Sequence, residues 1–363
     1  ELVNSTEKER EKASVERGDV FLTRTSETVG ELGMSCVALQ DYPNATFNGF
    51  TKRLRPKNPD VVHPEYAAYF FRSFHFRWQV YAMSSISTRA SLNNGMLKKF
   101  QIILPPMPIQ KEIGNALTSL DELRRNSATI INNLSSQIDA LFRSWFIDFD
   151  PVKAKAEGKL PCGMDEGTAA LFPEAFEDSE LGLIPAGWNI GRIGDIADIS
   201  SGKHQPERSE QKSSEYCTPL LGGAGIIAWT TESLFDEPII VIGRVGTLGV
   251  VKKYTSPVWP SDNTLIFKTH HNSSFHYLLH QLSLQDFGAY NRGSTQPLLT
   301  QSDMKKLKLL IPNEDILMSF EEKIRSMTLL SDISKDQSEI LTKTRDALLP
   351  RLMSGELEVP MEA

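Results

Sequence analysis

An internal repeat constrains the fold of this chain more than any other feature of its sequence. Residues 87–105 read STRASLNNGMLKKFQIILP, and residues 294–312 read STQPLLTQSDMKKLKLLIP. The offset is 207 residues throughout, without a gap. The identical pairs are Ser87/Ser294, Thr88/Thr295, Leu92/Leu299, Lys98/Lys305, Lys99/Lys306 and Pro105/Pro312. A repeat of this kind predicts two copies of one structural unit.

The apolar pattern that follows each repeat predicts a long helix. In the first copy nearly all steps between apolar residues are three or four, which places these residues on one helical face, and the second copy has apolar residues at the shifted positions. In the first copy they are Ile109, Ile113, Ala116, Leu120, Leu123, Ile130, Leu134, Ile138, Leu141 and Trp145. In the second copy they are Ile316, Phe320, Met327, Leu330, Leu341, Leu348 and Leu352, with interruptions at Lys323, Ser334, Gln337 and Arg345. Each copy is therefore predicted to end in a strand, a proline break and a helix of roughly 35–40 residues.

A helix of that length with a single apolar stripe needs a partner, because globular helices average about 11–12 residues. The chain supplies one equivalent helix, so we predict that the two pair in antiparallel orientation. The predicted fold class is α+β, with two similar domains separated by a pair of long antiparallel helices and related by a near two-fold axis. The predicted boundaries are 1–107 for the first domain, 108–146 for the first long helix, 147–185 for a linker, 186–313 for the second domain, 314–356 for the second long helix and 357–363 for a tail.

The two copies differ before their first shared strand. That buried strand is expected at Val20 in the first copy, but only at Ile239 in the second, whose domain begins near residue 186. The first copy therefore lacks counterparts of Trp188 to about Gly225. The chain also begins without methionine, so we expect that its start is missing.

Composition is that of an ordinary soluble protein. The chain has 363 residues, which suggests two or three domains, and it is 40% hydrophobic and 23% charged. No apolar run approaches the roughly 20 residues of a membrane span, and no signal peptide is evident. The cysteines Cys36, Cys162 and Cys217 are not clustered, so neither a disulfide framework nor a zinc site is suggested. We expect a cytoplasmic protein without membrane association.

The net charge of −7 alone argues weakly against a nucleic-acid partner, but the distribution argues otherwise. Residues 17–107 hold 11 basic and 6 acidic side chains, and residues 186–313 hold 12 and 11. Acidic residues are concentrated in the linker, with 3 basic and 9 acidic, and in residues 314–363, with 6 and 11. The globular parts are thus neutral to basic, and the local charge is what a phosphate-facing surface requires.

A strand followed by arginine occurs in both copies, at Arg24 and Arg244. Residues 243–249 resemble a glycine-rich dinucleotide loop, but such a loop should open a helix, whereas Val250 and Val251 continue as strand. The first copy lacks those glycines, which argues against a cofactor site. An exposed arginine at a strand end suits phosphate or guanine O6 and N7, and it equally suits a surface salt bridge. Both interpretations stay open.

No catalytic set recurs in the two copies, and duplicated structure without duplicated chemistry suggests duplicated binding. His276 and His280 have a spacing that metal sites use, but the first copy has aromatic residues there instead. The aromatic residues of a helix predicted over 64–81 are interpreted as core rather than as a base-stacking surface. The polar loops at 85–89 and 291–296 have side chains that bind phosphates and base edges, although ordinary turn chemistry explains them too.

Several stretches taken together resemble the DNA specificity subunits of type I restriction–modification systems. These stretches are residues 182–188, 193–197, 201–203, 293–297, 104–106 with 110–113, and 348–356. They cover nearly the whole chain in a specific order. The departures are the absent start of the first domain and residues 313–316, where a proline-rich turn containing glutamine is usual.

The resemblance implies two target-recognition domains, each reading one half of a bipartite asymmetric DNA site. It implies that the long helices fix the unread gap and dock two modification subunits, which bind S-adenosylmethionine and methylate adenine. Restriction subunits would use ATP and magnesium to translocate DNA. This chain itself would hold no catalytic residue, cofactor or metal, because its partners act on a base flipped from the stack.

The predicted DNA-binding residues are Arg24, Thr25, Ser87, Thr88, Arg89, Lys203, His204, Gly223, Arg244, Arg292, Ser294, Thr295 and Gln296. One alternative is a non-catalytic scaffold with two peptide-binding domains on a helical spacer. Another is a nucleotide-dependent enzyme that uses the glycines near Gly243. Salt-dependent retention of DNA separates the first interpretation from the scaffold, and mononucleotide binding by the isolated chain tests the enzyme.

Overall fold

The computed structural model of the chain forms two compact units. The residues it describes are 4–28, 30–83, 90–245, 249–290 and 298–358. The first unit comprises Glu1–Asn132 and Asp332–Ala363, and the second comprises Asn133–Ser331. Both are mixed α+β, as the sequence predicts. Two long helices contribute to both units.

In chain order the helices are α1 Glu7–Lys12, α2 Pro64–Phe70, α3 Phe74–Met83, α4 Asn94–Leu97, α5 Met107–Phe146, α6 Asp150–Ala156, α7 Glu166–Leu171, α8 Ile193–Ile196, α9 Phe275–Ser283, α10 Gln301–Lys306 and α11 Glu314–Ser354. The strands are β1 Val20–Thr23, β2 Thr25–Ser26, β3 Ser35–Val37, β4 Thr51–Leu54, β5 Ala90–Ser91, β6 Phe176–Ser179, β7 Gly182–Pro185, β8 Asn189–Arg192, β9 Ala197–Ser201, β10 Thr218–Gly222, β11 Gly225–Thr230, β12 Ile239–Gly243, β13 Val251–Tyr254, β14 Trp259–Pro260, β15 Thr264–Thr269 and β16 Lys308–Ile311. The predicted long helices correspond to α5 and α11, with 40 and 41 residues. None of the helices within the described ranges is long and apolar enough to cross a membrane.

The first unit is built on the short apolar strand β1. This strand lies between β3 and β4 in an antiparallel sheet, and Val20 faces Val37 on one side and Leu54 on the other. Leu22 is fully buried and packs in one core with Tyr66 and Phe70 of α2. A strand that is apolar on both faces is expected where both faces are covered.

The prediction of a single helix over 64–81 is wrong, because this segment forms two helices, α2 and α3. The amides of Arg72 and Ser73 bond to carbonyls three residues back, which tightens the turn and ends α2. The break allows the rings of Phe71 and Phe76 to meet in the core, with centroids 4.7 Å apart. On one continuous helix two residues five apart would point about 140° away from each other.

The aromatic residues of this segment divide between core and surface. Tyr66, Phe70, Phe71 and Phe76 are buried, which confirms the core interpretation for them. Phe74, Trp78 and Tyr81 are exposed, and their rings stack along α3 at centroid distances of 5.9 and 6.0 Å.

The beginning of α5 packs against the end of α11 in the first unit. Ile113 and Leu117 share a core with Leu352 and Met353. In the second unit the end of α5 packs against the beginning of α11. There the ring of Phe320 lies 5.0 Å from that of Phe146, and Trp145 and Phe142 contact it as well. The pairing is therefore antiparallel, as predicted from the two apolar stripes.

The second unit has a larger sheet, in which the strand order is β13-β12-β15-β9 and all neighbours are antiparallel. Every residue of β12 is buried, so this strand forms the centre of the unit. A second sheet has the order β11-β10-β14, and β16 pairs with β8. The relation of β12 to its neighbours β13 and β15 repeats that of β1 to β3 and β4.

The segment expected to be a linker, residues 147–185, contains α6, α7 and the hairpin of β6 and β7. Val152 and Phe172 are buried in the core of the second unit. The ring of Trp145 lies 5.0 Å from that of Phe172, so this segment packs on the end of α5.

The strand predicted before each long helix forms in the second copy only. Residues 308–311 form β16, which pairs with β8 from Asn189 to Arg192. In the first copy residues 101–104 are not a strand, so the prediction is wrong there. The Gln79 side chain instead binds both backbone polar groups of Gln101, at 2.7 and 2.9 Å. A strand requires a partner strand, and the described part of the first unit has no counterpart of β8 beside these residues.

Candidate nucleic-acid interface

Arg244 lies directly after the central strand β12, and its backbone is held on two sides. Its amide donates to the carbonyl of Asn263 at 3.0 Å, and its carbonyl accepts from the amide of Leu299 at 3.0 Å. Val245 also forms an isolated bridge with Leu298. The strand end therefore fixes the direction in which the arginine side chain leaves the backbone.

The side chain of Arg244 belongs to a polar cluster with Ser201 and Gln301. Its Nη1 donates to Ser201 Oγ at 2.9 Å, and Gln301 Nε2 donates to the same oxygen at 2.8 Å. Arg244 Nε is buried without a hydrogen-bond partner. Among the described residues no carboxylate lies within 4.0 Å of this guanidinium, so the salt-bridge interpretation is not supported. A half-buried positive charge without a protein counter-ion is suited to a phosphate or to the acceptors of guanine.

Arg24 has the same backbone relationships in the first unit. Its amide donates to the carbonyl of Phe50 at 2.7 Å, and its carbonyl accepts from the amide of Leu92 at 2.8 Å. Leu92 and Leu299 are an identical pair of the repeat, so the predicted equivalence of Arg24 and Arg244 is confirmed. The neighbouring Thr25 pairs with Ser91, as Val245 pairs with Leu298. Arg24 Nη1 donates to the carbonyl of Gly49 at 3.3 Å, and its exposed side chain also lacks an ion pair in the described part of the chain.

A cavity of about 470 Å³ lies beside Arg24 in the first unit. Its basic lining residues are Lys12, Arg24 and Lys52, and Glu9 is the acidic one. Asn4, Ser5, Thr46 and Asn48 add neutral polar groups. This is a net basic concavity, lined in part by polar side chains, next to the strand-end arginine.

Sequence reasoning missed one pair of residues at these sites, Asn94 and Gln301. Each is the first residue of its helix. Each follows a capping residue, Asn93 or Thr300, whose side chain accepts a hydrogen bond from the backbone amide three residues later in the chain. Asn94 Oδ1 accepts from Lys52 Nζ at 3.0 Å. The signal was available, because the repeat offset aligns Asn94 with Gln301.

Lys203 is close to the Arg244 cluster in sequence and is held by the neighbouring loop. Its amide donates to the carbonyl of Pro260 at 3.1 Å, and it bridges to Ser261. A Cβ atom on Gly202 would lie 2.1 Å from the carbonyl oxygen of Ser261, so only glycine fits beside that backbone. The side chain of Lys203 is exposed.

The structure joins only some of the predicted contacts. His204 is exposed, and Gly223 is half-buried in the turn between β10 and β11. Within the described ranges no hydrogen bond joins His204 or Gly223 to the Arg244 cluster. Ser87, Thr88, Arg89, Arg292, Ser294, Thr295 and Gln296 lie outside the described residues, and their role stays a prediction.

The two histidines with metal-like spacing bind carboxylates instead. His276 Nδ1 lies 2.8 Å from Glu321, and His280 Nδ1 lies 3.2 Å from Asp139. No group of three or more potential metal ligands occurs among the described residues. After Gly249 the chain continues into β13, so no helix opens at the described end of the glycine-rich segment.

Comparison with known proteins places the chain in a family. The family model described as "Type I restriction modification DNA specificity domain" matches residues 1–136 and 185–349, which is most of the chain in two segments. The chain belongs to this family. Two matches in one chain confirm the duplication that the repeat predicts. Membership assigns DNA sequence specificity to the chain and disfavours the peptide-binding scaffold.

Individual specificity subunits resemble the chain over most of its length. It is 26% identical to the type I restriction enzyme MjaIX specificity subunit of Methanocaldococcus jannaschii, over 98% of this chain and 82% of that one. It is 24% identical to the HindI specificity subunit of Haemophilus influenzae, over 83% of this chain and 79% of that one. The chain also superposes on the crystal structure of the S subunit from M. genitalium. The match spans 97% of this chain and 86% of that one, with a TM-score of 0.64 and 16% sequence identity. That structural likeness shows the shared fold.

Proposed function

We propose that this specificity subunit reads a bipartite, asymmetric DNA site, with one half assigned to each recognition domain. The observation that carries the proposal is the duplicated strand-end arginine. Arg24 and Arg244 occupy equivalent backbone positions, and neither has an acidic partner among the described residues. Duplex DNA provides phosphate oxygens and guanine acceptors that match such a group.

The same proposal assigns the chemistry to partner subunits. Two modification subunits that bind S-adenosylmethionine would dock on the long helices and methylate adenine in each half-site. Restriction subunits that use ATP and magnesium would complete the assembly. The names of the relatives, which are specificity subunits of type I restriction enzymes, support this arrangement. This chain would select the site without catalysing a reaction.

The test is DNA binding and methylation by the assembled complex that carries Arg244→Ala. If Arg244 contacts a phosphate, affinity falls for all sequences alike and the salt slope decreases by about one. If it reads a base, discrimination falls by about 1–3 kcal/mol at a single base pair. Lys268→Ala is the matched control, because this exposed lysine already pairs with Glu237 at 2.5 Å. Unchanged affinity and site preference in the Arg244 variant contradict the assignment.

A further inference from the structure

Two amide side chains occupy equivalent positions next to the two strand-end arginines. Asn94 and Gln301 are the first residues of α4 and α10, and both follow a residue whose side chain caps the helix. Their neighbours Leu92 and Leu299 bind the carbonyls of Arg24 and Arg244. The duplication has therefore kept a carboxamide of different length at one structural position.

Each amide is tethered by a second polar residue, and the tether differs between the copies. Gln301 donates to Ser201 Oγ, which also accepts from Arg244. An oxygen that accepts two hydrogen bonds fixes the guanidinium and the carboxamide side by side. Asn94 is shorter, and it accepts from Lys52, which lines the cavity beside Arg24. Neither tether uses all the hydrogen-bonding capacity of a carboxamide, which has two N–H donors and an oxygen with two lone pairs.

We infer that Asn94 and Gln301 are specificity-determining residues, each reading an A·T pair in its half-site. A carboxamide presents a donor and an acceptor in the geometry that matches N7 and N6 of adenine in the major groove. The inference rests on the proposed function and names which residues deliver it. Ser201 and Lys52 act as positioning residues, because they hold the amides without being assigned a contact to DNA.

A purely structural role is the competing explanation, and it has a different signature. An amide that only holds Ser201 in place affects every DNA sequence equally when it is removed. An amide that reads a base affects one base pair and leaves the rest of the site unchanged. The two copies add a second criterion, because a variant of Gln301 must alter only one half-site and a variant of Asn94 only the other.

The experiment measures methylation by the assembled complex on a DNA library that is randomised at each position of the target. The variants are Gln301→Met, which keeps the side-chain size and removes the hydrogen bonds, and Asn94→Ala. We expect discrimination at one A·T pair of the corresponding half-site to fall by about 5- to 150-fold, which corresponds to about 1–3 kcal/mol. Ser201→Ala should weaken discrimination at the pair that Gln301 reads. Gln285→Ala is the control, because the one side-chain hydrogen bond of this amide among the described residues goes to the carbonyl of Gln281, near the end of α9.

The outcomes separate this inference from the proposed function. If the complex without substitutions methylates a bipartite sequence, but the Gln301→Met and Asn94→Ala variants keep every base preference, the inference fails and the proposed function stands. A uniform loss of methylation with unchanged preferences also overturns it, because that is the structural signature. If the unmodified complex shows no sequence preference, the proposed function itself fails. Gln301→Glu gives a second test, since it removes both donors at nearly the same shape.

Discussion

Arg345 Nη1 donates to Asp121 Oδ1 at 2.8 Å, which joins α11 to α5 within the first unit. Tyr69 of α2 donates to the other carboxylate oxygen at 2.9 Å. Burial alone would raise the pKa of Asp121, but the hydrogen bonds from Arg345 and Tyr69 outweigh it and lower the pKa. One half-buried carboxylate thus ties the two long helices to the core of the recognition domain.

Replacing Asp121 by Asn is expected to destabilise the first unit by about 1–3 kcal/mol, because Arg345 and Tyr69 lose a charged acceptor. Urea unfolding followed by hydrogen exchange of amides in α2 and α5 measures the change. Asp346→Asn is the control, because Asp346 binds the same arginine but is more exposed. The Asp346→Asn substitution should reduce the stability of the first unit by less than about 1 kcal/mol. Equal effects of the two substitutions would show that burial of Asp121 is unimportant.

Removing the ring of Phe320 should destabilise the second unit strongly. The ring is fully buried against Phe142, Trp145 and Phe146, so Phe320→Ala leaves a cavity and should cost about 3–5 kcal/mol. Leu330→Ala, on the same helix but half exposed, should change stability by less than about 0.5 kcal/mol. Thermal unfolding of both variants gives the comparison. A small loss for Phe320→Ala would contradict the packing described for α5 and α11.

Acidification is expected to destabilise the second unit through His280. Burial lowers the pKa of His280, and the nearby carboxylate of Asp139 opposes this only partly. The pKa of His280 in the folded protein lies below its unfolded value near 6.5. The contribution of the neutral His280 to folding stability is therefore complete above pH 6.5 and is lost as the pH falls below that value. Stability should therefore decrease as the pH falls below about 6.5, and His280→Gln should reduce that slope. A slope unchanged by the substitution would assign the pH dependence to other groups.

Gly202→Ala should distort the loop that carries Lys203. The new methyl group would overlap the carbonyl oxygens of Ser261 and Pro260, at 2.1 and 2.3 Å, so the backbone must move. We expect weaker DNA binding together with lower thermal stability. Gly194→Ala is the control, because its methyl group would sit 3.5 Å from the nearest atom, the carbonyl oxygen of Lys305. Identical behaviour of the two variants would show that the loop tolerates the shift.

Lengthening the long helices tests whether they set the spacing of the DNA site. Four extra residues between Ser127 and Leu134 of α5 add about 6 Å, which corresponds to about one or two base pairs. Four residues also return the apolar face roughly to its phase, whereas two do not. Sequencing of methylated DNA should show the same half-sequences with a longer unread spacer. A matched insertion between Ser331 and Lys335 of α11 keeps the helices equal in length. If both halves are read with the original spacer, the helices do not determine the spacing.

The sequence by itself determined the duplication, the two long helices and the equivalence of Arg24 with Arg244. Helix periodicity is a local property that 40 consecutive residues repeat many times, so α5 and α11 were predictable almost to the residue. The gapless offset carried the same information from one copy to the other. It also aligned Asn94 with Gln301, but the hydrogen bonds to Lys52 and Ser201 that link this pair to the two arginine sites appear only in the structure.

Tertiary contacts alone decided the rest. Residues 101–104 and 308–311 have similar patterns, yet only the second stretch is a strand, because β8 is there to pair with it. The helix expected over 64–81 breaks so that Phe71 and Phe76 can enter one core. The cluster of Arg244, Ser201 and Gln301 joins residues 43 and 100 positions apart. Pairing of distant residues depends on how the chain folds back on itself, and no local pattern of residues encodes that.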